Sequence, residues 1–295
     1  MKLNPPKMLE LVEEVILDDE KERAKKPYVY RHNPSSSTAK REDGTVVGAC
    51  LRQLWMKSKA FPISNPKKFT TKLQAGFGNA IHTWFAEQLS KSKKITFVAE
   101  AAGKILVEPL TKEVSFRLDG LVTHRGELGC FELKTVQTYG LQKMLKENSG
   151  LPKPSDILQV LDYFGTNNAI MWASLVYVAR DTAMRCEFHI WKDDEDGKFY
   201  IKGIVPEVKT QLLAGPSFEK VVERWKELEG YIERDEMPKR DFKVVYRDGE
   251  IVPNRTKIGV DYKTDFQCLY CPYMNGCWSL AGAKEDSYQV RGDKS

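Results

Sequence analysis

The sequence predicts a mixed α/β domain whose central sheet carries helices on its faces. Three observations predict it. Helical spacing of apolar residues gives way in mid-chain to short β-branched and aromatic runs, a helical pair interrupts those runs, and a further helix follows them before an irregular Cys-rich tail. With 295 residues, 41% hydrophobic and 11% aromatic, the chain can fill one elaborated core or two small ones. It is too apolar for a disordered protein, and no apolar run approaches the roughly 18 residues of a spanning helix.

In chain order, Met8, Leu11, Val12, Val15 and Ile16 share a helical face and lead into a charged stretch and a polar loop, HNPSSSTAKREDG, whose serines read as loop and capping residues. A helix is predicted from about Gly48 to Lys57. A longer one follows from about Thr70 to Ser90, with Leu73, Phe77, Ile81, Trp84, Phe85 and Leu89 on or near its buried face. Strands are predicted at 95–100, 113–124, 129–136, 174–180, 185–191 and 199–205, each bounded by Gly or charged turns. Between the third and fourth strands lie helices at Tyr139 to Lys146 and Ser155 to Ala169, the second introduced by Pro154. A final helix is predicted from Glu207 to Arg234, and the stretch 235–265 carries no assigned role.

The N-terminus alternates charge with apolar residues and lacks a hydrophobic region ahead of a cleavage site, so the protein reads as cytosolic, with no membrane partner. In that reducing setting six cysteines point to metal or cluster ligation rather than disulfides. The net charge of +5 is too small to establish nucleic-acid binding. Its distribution says more: Gly48 to Ala86 holds Arg52, Lys57, Lys59, Lys67, Lys68 and Lys72 with no acid, and Lys91, Lys93 and Lys94 follow. Such a sector suits phosphate contacts or is simply a solvated face. Trp55, Trp84 and Phe85 are candidate stacking surfaces within it, core packing being the commoner use for the last two. No phosphate-binding G-x-x-x-x-G-K-S/T loop is present.

The sharpest local pattern is Asp119 in FRLDG followed by Glu132-Leu133-Lys134 in CFELKT. On a strand Glu132 and Lys134 share one face while Phe131 and Leu133 take the other. If the two segments are neighbouring strands, two carboxylates and a lysine converge at a sheet end. There a hard divalent cation finds oxygen ligands, and the ammonium can offset charge growing on a phosphate. Taken alone, E-x-K is also a common cross-strand ion pair. His82, in a helical segment, is a possible metal ligand or a structural group, and Gln159 and Tyr163 share one helix face. Cys268, Cys271 and Cys277 form a C-x2-C-x5-C triad in the tail, and Cys50 is a distant fourth candidate. Four thiolates suit zinc or a [4Fe-4S] cluster, and spacing does not choose between them. Cys130 and Cys186 fall within predicted strands and read as core.

His82, Asp119-Gly120, Glu132-x-Lys134 and Gln159-x3-Tyr163, in that order, resemble the RecB-like, AddB-like and CRISPR-adaptation nucleases of the PD-(D/E)xK superfamily. The resemblance implies a restriction-endonuclease-like core and a metal-dependent DNA nuclease, an exonuclease on single strands or ends. His82, Asp119, Glu132 and the Leu133 carbonyl would hold Mg2+ or Mn2+, Lys134 would be the catalytic lysine, and Gln159 and Tyr163 would position the strand or the water. Cys50 in ACLRQLW with the tail triad is similar to the iron-sulfur arrangement of those nucleases. It implies a [4Fe-4S] cluster, zinc being the alternative, that staples the terminal regions. One domain over 1–295 is expected: a core at about 70–205, an N-terminal helical region 1–69, and a C-terminal helix with Cys-rich tail 206–295. DNA is the implied partner, with a recombination, helicase or integrase protein as a further one. A non-catalytic DNA-binding subunit and an RNA-directed nuclease are the alternatives.

Overall fold

The run ELGCFELKTV forms the longest strand, and both of its faces are covered. A computed structural model describes residues 12–16, 18–19, 29–66, 69–213, 215–242, 245–247, 250–251, 265–279 and 288–290. Its strands are Thr38–Lys40 (β1), Val46–Gly48 (β2), Thr96–Ala99 (β3), Ala102–Ile105 (β4), Val114–Arg117 (β5), Gly120–His124 (β6), Glu127–Val136 (β7), Trp172–Ala179 (β8), Arg185–Lys192 (β9), Phe199–Val205 (β10) and Val208–Leu212 (β11). A small sheet of Val245–Arg247, Glu250–Ile251 and Tyr288–Val290 lies beyond them. The helices are Leu51–Ser58 (α1), Phe69–Ser90 (α2), Thr138–Glu147 (α3), Pro154–Thr166 (α4), Phe218–Glu233 (α5), Phe266–Leu269 (α6) and Met274–Ser279 (α7). Among the described residues, no helix is long and apolar enough to cross a membrane.

The main sheet runs β11-β10-β9-β8-β7-β6-β3. Only the β7–β8 pair in it is parallel, and α3 and α4 supply the crossover that a parallel pair requires. Cys130 of β7 faces a core built with Leu141 and Met144 of α3 and with Val160, Leu161 and Phe164 of α4. Phe131 and Leu133 face the other way, toward Ile81, Phe85 and Leu89 of α2. The period-two alternation therefore sorts β7 between two helical layers, leaving Glu132 and Lys134 on the α4 side. Gly78 brings α2 close to the sheet, because a Cβ there would lie 2.7 Å from Thr135 Oγ1.

Several expectations are corrected. The segment 113–124 is two strands in two sheets, parted at Leu118-Asp119: β5 pairs with β4, while β6 pairs with β7. Residues 208–212 form the edge strand β11, and the helix starts only at Phe218, after Pro216 and the N-cap Ser217. On α2, Leu73, Phe77 and Trp84 are exposed, so the buried stripe is narrower than the sequence suggested. Arg52 and Trp55, read as backbone-tracking and stacking candidates, are buried. Cys130 and Cys186 lie in the core as expected. Residues 12–16 are helical, whereas Met8, Leu11 and Lys67 and Lys68 fall outside the described residues.

Two buried polar contacts tie the N-terminal segment to the core. His32 stacks on Trp225 and sits 3.1 Å from Glu229 Oε1, whose carboxylate also accepts the Thr111 and Lys112 amides. Ser37 meets the fully buried Asp162 of α4. The Ser37 hydroxyl has a single proton and also lies 2.8 Å from the Pro34 carbonyl. A protonated Asp162 satisfies both contacts, donating to Ser37 while Ser37 donates to Pro34. Burial pushes the Asp162 carboxyl well above its ordinary 3.8, with the Ser37 contact acting the other way.

A carboxyl whose native pKa exceeds its unfolded value keeps its proton in the fold after the unfolded chain has released it. Its contribution to stability therefore falls as pH rises from the unfolded value toward the native one. Asp162→Asn keeps a donor to Ser37 and removes the ionisation. Thermal unfolding at pH values from about 4 to about 8 should show this variant gaining on the wild type as pH rises. A constant gap would mean that Asp162 is not held neutral.

Candidate active site

The site is assembled where β6 stops short of β7. The β6–β7 ladder ends at Gly120 opposite Phe131, since the chain turns away at Asp119. The Asp119 carboxylate replaces the missing strand: its Oδ2 accepts the Leu133 amide at 2.8 Å. Its Oδ1 lies 3.1 Å from His82 Nδ1, one helical turn along α2 from the close contact at Gly78. The expected approach of Asp119 to the E-x-K strand is therefore made through the backbone of Leu133, whose side chain is buried in the α2-facing core.

Glu132 is held from three sides. Its Oε1 accepts from Lys134 Nζ at 2.7 Å and from Gln159 Nε2 at 3.0 Å, and its Oε2 accepts from Tyr163 Oη at 3.1 Å. Lys134 Nζ also donates to Gln159 Oε1 at 2.6 Å, and Gln159 Nε2 is 2.7 Å from Tyr163 Oη. Tyr163 Oη lies 3.2 Å from the Arg117 carbonyl at the end of β5 as well. The one-turn spacing on α4 thus points Gln159 and Tyr163 inward, onto the carboxylate, and not outward as helix-surface groups.

Exposure rises along the constellation, from 6% for the Glu132 side chain and 22% for Lys134 to 28% for Asp119 and 33% for His82. The closed end is the carboxylate-ammonium pair and the open end is Asp119 with His82. Burial pushes the Glu132 carboxyl up, the Lys134 charge opposing and the Asp119 charge adding. Burial works against the Lys134 ammonium, but the Glu132, Asp156 and Asp119 charges together hold its pKa above the ordinary value. Burial and the Glu132 charge push the Tyr163 phenol up, so it acts as a neutral hydroxyl.

The donor types fit a hard divalent cation: two carboxylates, an imidazole and the Leu133 carbonyl. Among the described residues, however, no three His, Cys, Asp or Glu side chains stand close enough together to hold one ion. Glu132 has its oxygens turned to Lys134, Gln159 and Tyr163, and Asp119 has one of its own turned to Leu133.

A cavity of about 350 Å3 opens beside Tyr163, lined by Val29, Arg31, Asn33, Pro34, Ser35, Lys57, Ser115, Phe116 and Arg117. Three cations and several hydroxyl or amide donors meet there, with Arg31 paired to Glu113 at 3.6 Å and Arg117 to Glu100 at 2.6 Å. Sequence reading missed it, because its parts come from the polar loop, from α1 and from β5, and no local spacing links them. Asp156, which accepts from Tyr177 Oη at 2.6 Å and contributes its charge to Lys134, was missed for the same reason.

Cys50, Cys268, Cys271 and Cys277 line one cavity, with Arg52, Met56, Arg240 and Phe242 among its other walls. Cys50 is the N-cap residue of α1, Cys268 lies in α6 and Cys277 in α7. Burial pushes the Cys50 and Cys268 thiols up and Cys271 up to about 11. The donor set is soft sulfur, the type that zinc and iron-sulfur centres take, although the four thiols as they stand are not close enough together to hold a single ion.

No protein-family model matches the chain and no curated protein matches it. Among solved structures it is similar to SSO0001, at 13% identity and a TM-score of 0.48 over 90% of this chain and 96% of that one. It is also similar to LHK-Exo in complex with dAMP, at 12% identity and a TM-score of 0.38, covering 63% of this chain and 78% of that one. The alkaline exonuclease LHK-Exo from Laribacter hongkongensis gives 13% identity and a TM-score of 0.36, again over 63% and 78%. At such identities the chemistry has to be read from the side chains themselves.

Removing one member of a buried ion pair strands the other. Glu132→Ala or Lys134→Ala is expected to cost about 3–5 kcal/mol in urea unfolding, and the joint Glu132→Ala/Lys134→Ala exchange much less than the two single costs combined. Strict additivity would show that the two side chains are not coupled.

Proposed function

We propose that this protein is a divalent-metal-dependent nuclease that hydrolyses phosphodiester bonds of DNA, acting as an exonuclease on single strands or ends. The observation that carries the reading is the Glu132 carboxylate shared by Lys134, Gln159 and Tyr163 next to the Asp119–His82 pair at an open sheet end. His82, Asp119, Glu132 and the Leu133 carbonyl would hold Mg2+ or Mn2+ only after Glu132 and Asp119 turn an oxygen away from their present partners, and the metal would then supply water activation and charge stabilisation on the phosphate.

The chain's own residues have defined parts. Lys134 keeps its proton beside Glu132, so it offsets negative charge and does not act as a base. Gln159 fixes both members of that pair, and Tyr163 holds Glu132 Oε2 while bordering the basic cavity. Arg31, Lys57 and Arg117 in that cavity suit the phosphates of a strand arriving at Glu132. The four cysteines would bind a [4Fe-4S] cluster, or zinc, holding α1 against the tail.

End-labelled single- and double-stranded DNA, incubated with Mg2+ or Mn2+ and with EDTA as control, tests the reading. Cleavage should require the metal and fall by about 100-fold or more in Lys134→Ala. Absence of cleavage on every DNA in both metals, or full activity in that variant, would refute it. Arg31→Ala with Lys57→Ala should weaken single-strand binding and reduce the slope of log affinity against log salt by about 0.7 for each phosphate that is no longer neutralised. An unchanged slope would remove the cavity from the strand's path.

A further inference from the structure

The walls of the four-cysteine cavity include two arginines. Arg52 is only 5% exposed, despite its place in the basic sector of the sequence. Its Nε donates to the Pro238 carbonyl at 2.6 Å, and its Nη1 lies 3.8 Å from Cys277 Sγ. Arg240 comes from the segment after α5, and Cys50 sits two residues before Arg52 at the start of α1. That helix start is itself fixed: Asp241 Oδ2 accepts the Leu51 amide at 2.6 Å, and Asp241 Oδ1 pairs with Arg224 at 2.5 Å.

Four thiolates around a dication leave two net negative charges, whether the dication is zinc or an oxidised [4Fe-4S] core. Two guanidiniums in the wall oppose that charge, while the Asp241 and Asp265 carboxylates add to it at Cys50 and Cys268. Hydrogen bonds to ligand sulfur and nearby cations also stabilise the more negative, reduced state of an iron-sulfur centre.

We propose that Arg52 and Arg240 are the counter-charges of a metal centre held by Cys50, Cys268, Cys271 and Cys277, and that Arg52 positions the Cys277 thiolate. This rests on the reading of those cysteines as a metal site and is independent of the nuclease chemistry at Glu132. The arginines are positioning residues, since each acts through the sulfur ligands.

The test uses the full chain purified anaerobically, with iron and zinc measured per chain and the rate of metal release to a chelator followed. Arg52→Gln and Arg240→Gln should release metal about 10- to 100-fold faster, while Arg52→Lys, which keeps the charge, stays near the wild type. If the metal is iron, the midpoint potential of each Gln variant should move negative, a readout that weaker packing alone would not shift. Wild-type rates in both Gln variants would overturn the inference, as would Arg52→Lys failing as badly as Arg52→Gln. Wild-type protein holding neither iron nor zinc would overturn the four-cysteine reading and this inference together, leaving Lys134-dependent DNA cleavage as a separate result.

Discussion

A carboxylate removed from water has to be met by donors, and Glu132 makes the demand that organises the rest of the site. It is 4% exposed, and the groups that meet it come from its own strand and from α4. The lysine two residues on shares its face because strands alternate, and the amide and phenol come from positions four apart because helices turn every 3.6 residues. Helix α4 must therefore lie across this part of β7. The parallel β7–β8 connection, with its obligatory helical crossover, puts it there.

The same strand serves a second layer. Phe131 and Leu133 pack against α2, and that packing brings His82 toward Asp119 at the sheet's end. Asp119 stands at the break between β5 and β6, where its carboxylate takes the Leu133 amide that a continued strand would have taken. The outcome is a graded site in which a rigid, enclosed ion pair backs a more open acid and imidazole.

What the sequence revealed follows the range of each interaction. Glu132 with Lys134 and Gln159 with Tyr163 were legible because their spacing is local, and the strand and helix periods fix which residues face together. Cys50 with the tail triad was legible as a group of soft sulfur donors, and the four line one cavity. Three kinds of feature were not. Leu73, Phe77 and Trp84 have helical spacing suited to a core, yet α2 packs against the sheet mainly through Ile81, Phe85 and Leu89. The strand β11 was hidden inside an apparent helix, because Val208 to Leu212 is too short and polar to show its period and its partner is the edge of β10. Asp162, adjacent to Tyr163, reads as an ordinary polar helix residue until Ser37, far away in sequence, closes over it.

The charges of the molecule are therefore sorted by depth rather than by sequence run. Arg52 leaves the basic sector for the cysteine cavity, whereas Arg31 and Arg117, outside that sector, join Lys57 beside Tyr163. The central proposal is a divalent-metal site around Glu132 and Asp119, where β6 stops short of β7. Calorimetric titration of Mn2+ into the wild type, Asp119→Asn and Glu132→Gln tests it most directly. Binding by the wild type, weakened about tenfold or more in each folded variant, is the result this account predicts. Equal Mn2+ affinity in all three proteins, or no binding by the wild type, would contradict it.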